Sequence, residues 1–122
     1  MGSRKEFVKK INEAFAKCDT KFIADNVTDD IQWKIVGEKT ISGRHAFENA
    51  LGRMKLGGPM QITVVDFISG KDKTVVEGIV EIKIEPGKIK EYAFCDIYVF
   101  KDSDTTKFKE LRTYISQIKK QK

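Results

Sequence analysis

The spacing of the apolar residues changes at Pro59, and that change limits the fold more than any other feature of the chain. Before it, apolar residues recur mostly every three or four positions; after it they alternate. In "RKEFVKKINEAFAK", residues 4–17, Phe7, Ile11, Ala14 and Phe15 share one helical stripe with lysines opposite. Asp19 follows, and "KFIADNV" reads as a second short helix presenting Phe22, Ile23 and Val27. "DDIQWKIVG" is the exception in this half, a short strand that alternates Ile31, Trp33 and Ile35 against Gln32 and Lys34. "ISGRHAFENALGRM" predicts a helix with Ser42 as its N-cap and Phe47, Ala50, Leu51 and Met54 at helical spacing. "GGP" at 57–59 stops it.

Beyond Pro59 the period is two. "QITVVDFIS" is a strand and "GKDK" a turn. "TVVEGIVEIKIE" then sets Val76, Val80, Ile82 and Ile84 against Glu77, Glu81 and Lys83. "PGK" turns the chain into "IKEYAFCDIYVF"; the loop "KDSDTT" leads to "KFKELRTYIS". Three or four long strands in hairpin succession predict an antiparallel meander, and helices followed by strands predict an α+β fold. With 122 residues and no repeat or linker, residues 1–122 are expected to form a single domain.

The net charge of +5 raises the question of nucleic acid. The lysines are interleaved with acids, as in "KDKTVVEG", and no aromatic residues accompany a basic stripe, so no nucleic-acid partner is expected. No apolar run approaches the ~20 residues that cross a bilayer. "MGSRKEFVKK" does not resemble a signal peptide, and Glu6 stands where a myristoylation signal needs Ser or Thr, so no membrane partner is expected. Two cysteines are too few for a disulfide framework, which places the expected location in a reducing cytoplasm. No His, Cys or acid set has metal spacing, and there is no GxSxG or phosphate-binding glycine loop, so no metal and no cofactor is expected. His45, the only histidine, falls in the first turn of its helix, off the inward stripe, and reads as a surface residue.

The stretch with the most chemistry is "AFCDIYVF", residues 93–100. A carboxylate amid Phe94, Ile97, Tyr98 and Phe100 must be paired, neutralised or wet. Three readings of Asp96 stand side by side. It faces a pocket as a protonated acid, it pairs with Lys34, Arg112 or a tyrosine hydroxyl, or it lies at the sheet rim. Tyr92, Tyr98 and Tyr114 share its parity and could offer hydroxyls; Cys95 points the other way. Because this strand is apolar on both faces, both faces should be covered. One cover is the helical layer. The other is expected to be a second copy, in a homodimer centred on Ala93, Cys95, Ile97 and Val99.

Asp19, "TDDIQW", "ISGRHAFENAL" and the strand order together resemble the nuclear transport factor 2-like superfamily. Within it they are most similar to the SnoaL-like polyketide cyclases and the related ketosteroid isomerase. The resemblance implies a cone, a bent antiparallel sheet wrapped around N-terminal helices (a cystatin-like α+β barrel) with a pocket at its open end. Family functions run from isomerases and dehydratases to pure binding modules, and fold alone does not choose among them. Ketosteroid isomerase uses an aspartate base with a tyrosine and a protonated aspartate as oxyanion hole. Asp96 matches the protonated aspartate. The base position falls on Lys34 or Ile35 and the tyrosine position on Ile11 or Phe15, so that catalytic set does not carry over. Lys34 either points outward, as strand alternation has it, or occupies the base position.

The resulting expectation is a pocket formed by Trp33, Phe47, Leu51, Met54, Phe94, Asp96 and Tyr98. It would take a small, mostly apolar, oxygen-bearing molecule, with Asp96 as the acid in an isomerisation, cyclisation or dehydration. The alternative is a non-catalytic dimeric interaction module with a filled or vestigial pocket.

Overall fold

The computed structural model describes residues 3–56, 60–100 and 107–119. The "GGP" stop, the "KDSDTT" loop and the Ile84 side chain lie outside the described residues. In chain order the elements are α1 (Ser3–Lys17), α2 (Thr20–Asp25), β1 (Val27–Ile35), β2 (Lys39–Ser42), α3 (Arg44–Leu56), β3 (Gln61–Ser69), β4 (Lys73–Glu85), β5 (Lys88–Phe100) and β6 (Phe108–Gln117).

Helix α1 buries Ile11, Ala14 and Phe15 of the expected stripe; Val8 is fully buried as well, whereas Phe7, expected with them, is only partly buried against the core. It ends in a left-handed residue, Cys18, at φ 62°. The Cys18 N–H donates to Phe15 O at 3.2 Å and the Asp19 N–H to Ala14 O at 2.8 Å, a Schellman pair that closes the helix. Asp19 Oδ1 then accepts the Phe22 N–H at 3.3 Å and caps α2. The acidic residue after the first helix is therefore a joint between two helices.

The expected cap of α3 needs correction. Ser42 belongs to strand β2, opposite Gln32, and Gly43 at φ 90° makes the turn that a side chain would strain. The Gly43 carbonyl accepts the Phe47 N–H at 3.0 Å. Arg44 then ties three elements together. Its guanidinium lies 3.8 Å from Asp25, 3.6 Å from Asp29 and 3.2 Å from Glu48, and it donates to the Val27 carbonyl at 3.4 Å.

The six strands run in the order β2-β1-β6-β5-β4-β3. Strands β3 to β6 form the expected antiparallel meander. Strand β1 pairs with β6 in parallel, Trp33 opposite Leu111, so the sheet is mixed rather than wholly antiparallel. Side-chain alternation is the same for either strand direction, which is why the sequence could not show this pairing. The sheet curves but does not close, leaving β2 and β3 as edges. A bulge between Val64 and Asp66 in β3 sits opposite Gly78 and Glu77 of β4 and bends the meander. The core on the concave face joins α1, α2 and α3 to Val27, Ile31, Val76, Tyr98, Phe100, Phe108 and Leu111. No helix among the described residues is long and apolar enough to cross a membrane.

Candidate functional site

Alternation along β5 turns Phe94, Asp96, Tyr98 and Phe100 to the concave face. There, between α1, the end of α3 and the sheet, a cavity of about 120 Å³ is lined by Asn12, Phe15, Trp33, Met54, Met60, Ile62, Val80, Phe94, Asp96, Leu111, Thr113 and Ile115. Ten of these twelve are apolar or weakly polar; Asn12 and Asp96 supply the strong hydrogen-bonding groups.

Asp96 faces Thr113 across the β5–β6 ladder. Its Oδ1 is sealed from solvent and has no hydrogen-bond partner. Burial pushes its pKa up from 3.8 to about 7, and the hydrogen bond from Thr113, which favours the ionised form, offsets this only in part. Thr113 is itself held: Trp33 Nε1 donates to its Oγ1 at 2.8 Å, leaving the hydroxyl proton for the carboxyl. Trp33 is fixed in turn by ring contacts to Phe15, at 6.1 Å between centroids, and to Phe47, at 5.7 Å. A chain of contacts from the aromatic core thus holds one carboxyl at the cavity wall.

The second polar group is Asn12, 5% exposed on α1. Its Oδ1 accepts the Tyr98 hydroxyl at 3.4 Å, while its Nδ2 is buried with no partner. Burial first, and the Asp96 charge second, push the Tyr98 phenol well above its ordinary pKa, so it remains a donor.

Of the residues expected to line the pocket, Trp33, Met54, Phe94 and Asp96 do so. Phe47, Leu51 and Tyr98 do not: all three are at most 1% exposed and stand behind the wall as core. Helical and strand periodicity identifies an inward face but cannot tell wall from core. Lys34 points outward and lies 3.4 Å from Glu110 Oε2; Arg112 Nε lies 2.6 Å from the same oxygen. Burial pushes the Glu110 carboxyl up, but those two cations outweigh it and hold it below its usual value. The pairing of Asp96 with Lys34 or Arg112 is therefore overturned, because both cations serve Glu110 on the opposite face. The rim reading fails too, since Oδ1 is enclosed. Tyr114 is opposite Cys95 in register and belongs to the outer face, not to the pocket parity expected of it.

His45 is exposed, away from the cavity. Cys95 lies on the outer face, where burial and then the Asp96 and Glu77 charges push its thiol pKa up, away from a reactive thiolate. Among the described residues no three His, Cys, Asp or Glu side chains cluster as a metal site would require.

Sequence reasoning missed Asn12 and Thr113. The signal for Asn12 was present: it is the polar residue among Val8, Ile11 and Phe15. Thr113 alternates with Leu111 and Ile115 and so shares their face.

The SnoaL-like domain family matches residues 8–107. Among solved structures the chain is similar to an NTF2-like protein of unknown function from Cytophaga hutchinsonii. The two are 25% identical over 93% of this chain and 99% of that one, with a TM-score of 0.70. It is also similar, at 17% identity, to an LEH-like epoxide hydrolase of M. tuberculosis, covering 91% of this chain and 80% of that one at TM-score 0.78. The epoxide hydrolase/cyclase-like enzyme SalBIII, from pyran ring formation in the polyether salinomycin, is 17% identical over 93% and 91% of the two chains at TM-score 0.81. At that identity the likeness concerns the fold. No curated protein matches the sequence.

Proposed function

The chain belongs to the SnoaL-like domain family, matched over residues 8–107, and from that premise we propose that it binds a small, mostly apolar molecule whose oxygen meets Asp96. The observation that carries the reading is the Asp96 Oδ1 atom, buried at the wall of an apolar cavity with no partner among the described residues. Such an atom is costly to bury unless something completes it. In its acid form Asp96 donates a proton or a hydrogen bond to a ligand oxygen. Protonating an ether, epoxide or carbonyl oxygen weakens the bond from carbon to it, which is the chemistry that isomerisation, cyclisation and dehydration share. Two of the similar structures are named as an epoxide hydrolase and an epoxide hydrolase/cyclase-like enzyme, and acid assistance at oxygen is in keeping with both names.

The test is a thermal-shift screen of a metabolite library against wild type and Asp96→Asn. A ligand at 100 times its Kd adds about 2.7 kcal/mol to stability, well within detection. Compounds that shift wild type and shift the variant less support the reading. A library in which nothing shifts wild type overturns it, leaving the non-catalytic interaction module.

A second copy is proposed to cover the outer sheet face. That face exposes Val36, Val65, Ile68 and Tyr114, at 46%, 62%, 60% and 45%, around a shallow trough that includes Ile79, Ala93 and Cys95. Exposed apolar residues grouped in this way support burial by a protein partner. Val99, expected near its centre, is 6% exposed within the protomer and already covered. Ile97→Glu places a charge on this face and should convert the dimer to monomer in sedimentation. A wild-type monomer at micromolar concentration, or no change in the variant, rules the dimer out.

A further inference from the structure

Two side chains that line the cavity carry buried polar atoms without partners, and the mechanism above uses only one of them. The other is Asn12 Nδ2. Asn12 is 5% exposed, on a helix face otherwise given over to Val8, Ile11 and Phe15, and it lines the same cavity as Asp96. Its amide oxygen accepts from the Tyr98 hydroxyl at 3.4 Å, and in this arrangement the free half of the amide is the one that donates. The unpartnered atoms are thus an N–H donor and a carboxyl oxygen, in an apolar wall whose described residues include no Lys, Arg or His side chain.

We propose that Asn12 is a ligand-binding residue whose Nδ2–H donates to the ligand's oxygen, and that this site selects neutral, compact molecules carrying an acceptor oxygen, such as a cyclic ketone, ether or epoxide. A carboxylate of the same shape would enter with no cation to meet it and with the Asp96 carboxyl beside it. An ammonium would meet the N–H hydrogens of Asn12 and could pair with Asp96 only after that carboxyl gave up its proton. A hydrocarbon would leave both polar atoms unpaired. The volume of about 120 Å³ compares with an apolar cavity of roughly 150 Å³ that accepts benzene, so the enclosed part of the ligand is one six-membered ring. Half-buried Met54, Met60 and Ile62 and exposed Ile115 form the side where a longer substituent would emerge.

This inference rests on the proposed binding function, and one experiment separates the two. Wild type is titrated with cyclohexanone, cyclohexene oxide, methylcyclohexane, cyclohexylamine and cyclohexanecarboxylate, following the side-chain amide resonances of Asn12 by NMR. The expected result is that the ketone and epoxide bind tighter than the other three and shift the Asn12 Nδ2–H signals, while those of Asn26 and Asn49 stay in place. Asn12→Leu should weaken ketone binding about tenfold and leave methylcyclohexane binding unchanged or improved. Failure of all five probes to bind overturns the binding function and this inference with it. Ketone binding without movement of the Asn12 signals, or undiminished in Asn12→Leu, overturns the role of Asn12 and leaves the function standing. Tighter binding of the amine or the carboxylate overturns the ligand class. Should Asn12→Leu fail to fold, the wild-type amide shifts and probe ranking still decide.

Discussion

Asp96→Asn is expected to be at least as stable as wild type at pH 8 and to lose that advantage at pH 5. The folded-state pKa of Asp96 is raised from 3.8 to about 7, chiefly by burial. A raised pKa means that the folded protein binds the proton more tightly than the unfolded chain does. Its contribution to stability is full below about pH 3.8, declines as pH rises, and is exhausted once the folded pKa is passed. Asparagine has no such proton, so the variant lacks this dependence. At 1.36 kcal/mol per unit, the difference between variant and wild type should change by roughly 2–3 kcal/mol between pH 5 and pH 8, in favour of the variant at the higher pH. Denaturant midpoints of both proteins at the two pH values measure it. The opposite sign, with clear destabilisation by asparagine at pH 8, would mean that a cation holds the carboxylate ionised, and the acid role would fall with it.

The sequence offered that sign as one of three readings, and the burial of Asp96 favours it over the other two. The sequence showed a carboxyl among aromatic residues and a lysine and an arginine that could reach it. Strand alternation already turned Lys34 outward, but nothing local revealed that Glu110 would claim both cations. The parallel pairing of β1 with β6 brings Lys34 beside Arg112 and Trp33 beside Leu111, and that pairing joins segments some eighty residues apart. The same long-range contact creates the Trp33–Thr113 hydrogen bond that orients Asp96. What was legible is what depends on period: the helical stripes, the strand faces, and the inward direction of Phe94, Asp96 and Trp33. What was not legible is depth. Phe47 and Trp33 both point inward, yet one is core and the other cavity wall, because that distinction depends on how far the sheet bends.

Gly78→Ala is expected to destabilise the protein by about 3 kcal/mol or more and to abolish probe binding in whatever remains folded. Gly78 faces the concave side, opposite Phe94 on β5 and Val64 on β3. A Cβ built there collides with the Thr63 carbonyl oxygen and lies 2.9 Å from two atoms of the Phe94 ring. The ring could swing away, but the carbonyl belongs to the neighbouring strand and moves only if the ladder does. Overpacking relieved by side-chain and backbone shifts costs about 1–3 kcal/mol and occasionally more, and a conflict with a ladder carbonyl belongs at the top of that range or past it. The bulge beside Val65 lies across from the same glycine, so the bare Cα and the extra residue are two halves of one bend. That bend brings the Phe94 ring close over Gly78, where it forms the cavity wall next to Asp96. A second substitution, Phe94→Leu, removes the ring and with it one of the two collisions. The double variant should therefore recover part of the stability lost in Gly78→Ala, a coupling that a denaturation cycle resolves. Full recovery would place the whole conflict at the ring. A loss below 0.5 kcal/mol in Gly78→Ala itself, the range of an ordinary surface change, would show that the sheet bends without needing a glycine there.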